Sequence, residues 1–279
     1  MSPKIQSKLK HVTVDDALNP DVLAILEKAT GLGSKEAWAN IWLLISKAEQ
    51  DNTDPKGTFE IEGTKGSLFG YASALSYDQH DRGVTIGLVG WTTANDGKDG
   101  AGDAPELFKM YRGLGGDDLM PFVAGCCKSK DKCEKLIKKI HEIAGDPRWI
   151  ASQWNQLVTD SDDGAYIYHA AAAWKKVGVA KPSALALAAV IDTSLNQGNE
   201  GKFGGCSNLI KLAVHGNEKK TLEAYLEWKA KVAGTNEFND PPCNGKARAG
   251  QFQLLLKDEC FSLTGCEKEI QNAISWKMK

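Results

Sequence analysis

A chain of 279 residues with 25% charged and 42% hydrophobic side chains can bury a sizeable core, and it fits neither a disordered nor a fibrous protein. A net charge of −2 argues against nucleic acid as a partner, and no run approaches the ~20 apolar residues that a membrane-spanning helix needs. Seven cysteines without a Cys-x-x-Cys pair, alongside five scattered histidines, point to disulfides in an oxidising compartment with one thiol left over. They do not fit the ligand spacing of a structural zinc site.

The first strong periodic element runs from Ser34 to Glu49. Trp38, Ile41, Trp42, Ile45 and Ala48 fall on one helical face, with Ser34 as N-cap. Residues 58–91 change character. Thr58 to Ile61, Ser67 to Tyr77 and Gly83 to Trp91 are β-branched, aromatic and punctuated by glycine, which predicts a small antiparallel sheet. Helical signals then resume. A helix starts at Asp103 and Pro105 and stops at the Gly113, Gly115 and Gly116 cluster. Leu136, Ile137, Ile140 and Ile143 make another apolar face, and Asp146-Pro147 opens a helix bearing Trp149, Ile150, Trp154 and Leu157. Pro182-Ser183 opens a helix to about Gln197, whose residues 184–191 are apolar on every side, as in a central buried helix. Helices near 219–232 and 246–257 follow. The fold class is α+β, mainly α. The eight tryptophans suit a core and suit flat sugar-binding faces equally.

Three places offer chemistry. Glu49 continues the apolar face of its helix at the C-terminal end, where burial and the helix dipole both raise a carboxylate's pKa, as a general acid requires. The segment Tyr77-Asp78-Gln79-His80-Asp81-Arg82-Gly83-Val84-Thr85 sets carboxylates at a turn before a strand. Turn chemistry alone accounts for such a cluster, but with Glu49 it supplies the two carboxylates of glycoside hydrolysis. Asp192 stands inside the all-apolar helix, so it must be paired, and Arg248 on a later helix is the expected partner. Dinucleotide-binding and P-loop glycine patterns, the Gly-x-Ser-x-Gly elbow and His-Glu-x-x-His are missing from the sequence.

The order of these pieces is similar to glycoside hydrolase family 46, the endo-chitosanases of the lysozyme superfamily. A helix ending in Glu49 precedes Arg82, Gly83, Thr85, Gly87, Gly90, Trp91 and Thr92, and then Gly100-Ala101-Gly102-Asp103 before a helix. Asp192 with Gly198 and Phe203-Gly204-Gly205, and the run Tyr225 to Ala230, extend the resemblance over roughly residues 36 to 262. It implies one catalytic domain over residues 1–279 with a two-lobed, lysozyme-like fold, a small antiparallel sheet beside a cleft at about 50–100 and a larger helical lobe from the remainder.

The resemblance further implies an inverting endo-hydrolase of chitosan. Glu49 would be the acid, Asp81 the base, and Thr85 would hold the attacking water; Arg82, Gly90 and Asp103 would bind substrate, and Asp192 with Arg248 would form a network behind the acid. No cofactor and no metal are implied, and the expected state is a secreted monomer whose leader is removed or is not part of this chain. Where the family has its Asp, this chain has His80, so Asp78 is the alternative base. Two other readings stay open: a hydrolase of another β-1,4-glycan (chitin, mannan or peptidoglycan), and a glycan-binding protein without a catalytic base.

Overall fold

Short polar side chains fix where the helices begin in the computed structural model, which describes residues 11–50, 58–59, 67–74, 83–127, 130–161, 164–232 and 245–275. Ser34 accepts the amide of Ala37, Asp146 that of Arg148 and Ser183 that of Ala186. In chain order the elements are α1 (Val14–Ala17), α2 (Pro20–Thr30), α3 (Lys35–Gln50), β1 (Ala72–Ala74), β2 (Val84–Ile86), β3 (Trp91–Thr92), β4 (Ala94–Asn95), β5 (Lys98–Asp99), α4 (Ala104–Gly113), α5 (Lys130–Ile143), α6 (Pro147–Val158), α7 (Tyr166–Lys176), α8 (Ala184–Gln197), α9 (Gly205–Leu212), α10 (Glu218–Val232), α11 (Gly245–Lys257) and α12 (Glu267–Ile274). The fold is α+β and mainly helical. The chain forms two compact units, Met1–Val22 with Phe59–Ala165 and Leu23–Thr58 with Tyr166–Lys279.

The first unit holds the sheet. Strands β1, β2 and β3 pair antiparallel, with Ser73 opposite Thr85 and Thr85 opposite Thr92. On the other face Ala72, Ile86 and Trp91 are buried, so the strands alternate as a half-buried sheet should. Among the described residues, not all of the strand-like sequence is strand. Residues 68–70 wind into a 3₁₀ turn because Ser67 Oγ takes the amide of Phe69 and the Phe69 ring sinks beside Trp154. Thr58 and Phe59 form a turn, and Phe59 joins the same aromatic cluster. The unit also reaches well past residue 100, taking in α4, α5 and α6, of which α5 packs on β1 and β2. Trp149 anchors it, donating its indole N–H to the Phe69 carbonyl at 2.7 Å with Tyr111 edge-on against its ring.

The second unit is built around α8. Its residues from Ala184 to Ser194 are all buried, and α3, α7, α9, α10 and α11 surround it. A helix enclosed this way can be apolar on every face.

Among the described residues no disulfide joins the cysteines. Cys126, Cys206, Cys260 and Cys266 carry free thiols, and Cys243 lies outside the described residues. The Cys133 thiol donates to the Cys126 carbonyl at 3.2 Å.

Candidate active site

Two clusters of functional side chains emerge, one in each unit. In the first, Ser73, Thr85 and Thr92 stand opposite one another across β1, β2 and β3, a row of hydroxyl-bearing residues on the sheet face away from Ile86 and Trp91. Thr85 Oγ1 is buried, with no hydrogen-bond partner among the described residues. A buried hydroxyl in that state can hold a water or a substrate oxygen without giving up an internal bond.

The backbone around Thr85 is tightly specified. Gly83 enters β2 at φ +70°, and a Cβ there would lie 2.3 Å from Thr93 Oγ1, the atom that takes the Val84 amide. Gly90, expected to touch substrate, closes the turn after β2, and its own Cβ position lies 3.1 Å from Thr85 Cγ2. Asp103 stands immediately before α4. Its Oδ1 accepts the Thr92 amide at 2.5 Å and faces Thr92 Oγ1 at 3.4 Å, so this carboxylate anchors β3 to the start of that helix. Gly102 makes the approach possible, since a Cβ there would meet the Thr92 carbonyl at 2.1 Å.

Gln153, which the sequence reading passed over, braces the sheet from α6. Its buried amide donates to the Phe69 carbonyl at 3.1 Å and accepts the Leu88 amide at 2.9 Å, joining the turn before β1 to the turn after β2. The signal was available, because Gln153 falls on the same helical face as Trp149, Ile150 and Trp154.

The second cluster is ionic. Arg248 Nη2 lies 2.6 Å from Asp192 Oδ1 and its Nε 3.2 Å from Oδ2, while Lys229 Nζ reaches Oδ2 at 2.5 Å. All three are buried. Desolvation, the largest influence on Asp192, pushes its carboxyl up, but Arg248 and Lys229 outweigh it and hold the group below the ordinary carboxylate range. Burial depresses Lys229, with Asp192 opposing. Lys229 was also missed, although it shares a helical stripe with the buried Leu222, Tyr225 and Leu226. One carboxylate set between two cations leaves these three with one positive charge in excess.

The remaining candidates lie outside what the structure describes. Glu49 belongs to the last turn of α3 with its side chain undescribed, and Asp78, His80, Asp81 and Arg82 fall in the segment just before Gly83. Six tryptophans (Trp38, Trp42, Trp91, Trp149, Trp154 and Trp174) are core residues.

The fold is similar to that of solved chitosanases. It aligns with the GH46 chitosanase of Gynuella sunshinyii, solved in complex with chitotetraose, at a TM-score of 0.55 and 17% identity over 83% of this chain and 93% of that one. The native chitosanase of Bacillus subtilis MY002 aligns at a TM-score of 0.55 and 20% identity, with the same coverage of both chains. In sequence, the chain is 29% identical over 288 aligned positions to a chitosanase of Niallia circulans, covering 98% of this chain and 88% of that protein. No protein-family model matches it.

Proposed function

We propose that the chain is an inverting endo-hydrolase of the β-1,4 linkages of chitosan. The observation that carries this reading is the near full-length similarity to the chitosanase of Niallia circulans. In the proposed step Glu49 gives its proton to the glycosidic oxygen as the bond to the anomeric carbon breaks. Asp81, or Asp78 in its place, takes a proton from the water that attacks the opposite face of that carbon. Thr85, whose buried hydroxyl is unclaimed, orients the water. Each turnover consumes one water and returns the two carboxyls to their starting states after proton exchange.

The ionic cluster supports the acid from behind. We assign it a positioning role behind Glu49, on a helix that packs against α8 and α11. Arg82, Gly90 and Asp103 would bind the sugar chain. In this reading the enzyme works as a secreted monomer, because a polymer too large to enter a cell is met outside it. Among the described residues no helix is long and apolar enough to cross a membrane.

Incubation with soluble chitosan, chitin oligomers, mannan and peptidoglycan tests the reading. Reducing ends should appear from chitosan first, as the α-anomer by proton NMR. Equal or greater release from a neutral glycan would reassign the substrate, and binding without release from any polymer would remove the enzymatic reading.

A further inference from the structure

The loop from Asp258 to Gly265 is held in an uncommon shape. Glu259 and Leu263 both have positive φ, +57° and +51°, without being glycine. Such conformations are strained for residues other than glycine and persist where the surroundings determine them. Here they do. The Leu263 carbonyl takes the Asn40 side-chain amide at 2.8 Å, the Gly265 amide donates to Glu36 Oε1 at 2.9 Å, and the Phe261 carbonyl takes the Leu185 amide at 3.0 Å.

This fixed loop carries Cys260 to Cys266 and Glu269. Cys266 stands at the N-cap of α12 with no capping bond from its side chain, and Glu269 lies in the first turn of that helix. The two sulfur atoms and a carboxylate oxygen of Glu269 all lie within 4.8 Å of one another, with Cys260 buried and the other two partly exposed. A tetrahedral zinc ion with ~2.3 Å bonds holds thiolate sulfurs roughly 3.8 Å apart, so small side-chain rotations suffice to close on one. The surrounding field suits a cation as well, since Glu269 and Asp258 both act electrostatically on Cys260.

We propose that Cys260, Cys266 and Glu269 form a site for a thiophilic divalent cation, zinc in the first instance, with a fourth position open to water. A disulfide between the same cysteines has no use for the carboxylate that completes the set. The ion would clamp the loop to α12, a structural role that does not depend on the proposed hydrolase activity.

The test is titration of the reduced full-length protein with Co(II) and then Zn(II), without oxygen. One equivalent of cobalt should give a thiolate-to-cobalt charge-transfer band and tetrahedral visible bands, both erased by zinc. Cys127→Ser should leave them intact. Cys260→Ser/Cys266→Ser should abolish them, and Glu269→Gln should weaken zinc binding by roughly tenfold or more. The proposal is overturned by a missing thiolate band in the wild type, or by a band that survives the double substitution. Unchanged zinc affinity in Glu269→Gln also overturns it, and that variant decides the matter if the double variant does not fold.

Discussion

Arg248 engages both carboxylate oxygens of Asp192, at 2.6 and 3.2 Å, and Asp192 stands in a helix that is buried from Ala184 to Ser194. Removing one member of a buried pair leaves an uncompensated charge, which costs about 3–5 kcal/mol. Asp192→Asn should lose stability on that scale in urea unfolding, because Lys229 and Arg248 are then both buried without it. A loss under about 1 kcal/mol contradicts the structural weight given to this cluster.

The same carboxyl sets a pH dependence. Its folded pKa lies below the ordinary value, so its stabilisation is complete above the unfolded pKa of ~3.9 and is lost as pH falls from there through the lower folded value. The stability gap between wild type and Asp192→Asn should therefore narrow between pH 6 and pH 3. A constant gap contradicts this.

His141 gives a second, separate window. It lies buried in α5, the helix behind β1 and β2, with Nε2 unpartnered among the described residues, and burial lowers its pKa. The neutral form stabilises the fold fully above the unfolded value of ~6.5, and that contribution falls as pH drops below it. His141→Leu should show a smaller fall in melting temperature from pH 7 to pH 5 than the wild type.

Thr85→Val removes a hydroxyl that makes no hydrogen bond among the described residues, and it keeps the side chain's shape. Urea unfolding should change by less than ~1 kcal/mol, while kcat on chitosan falls on the order of 100-fold through loss of water alignment. Gln153→Leu should do the reverse in proportion. It breaks two buried bonds at Phe69 and Leu88, so stability falls by about 1–3 kcal/mol.

Much of the helical frame was legible in the sequence because caps and periodicity are local signals. Ser34, Asp146 and Ser183 begin helices where their short polar side chains indicate. The apolar run from Ala184 to Ile191 marks the central helix, and the charge at Asp192 requires a partner. What stayed hidden depends on contacts across the fold. Phe69 looks like a strand residue but turns inward onto Trp154, an aromatic contact no local rule contains. Lys229 and Gln153 look like solvated helix residues until their stripes are counted.

The central claim rests most directly on Glu49, the residue at the end of α3. The deciding measurement follows the viscosity of a chitosan solution and its reducing ends together, for wild type and Glu49→Gln. An endo-acting acid catalyst predicts that wild-type viscosity collapses before reducing ends accumulate, and that Glu49→Gln, folded by circular dichroism, loses at least ~100-fold in both rates. Full activity in Glu49→Gln, or chitosan left intact by the wild type, contradicts the account.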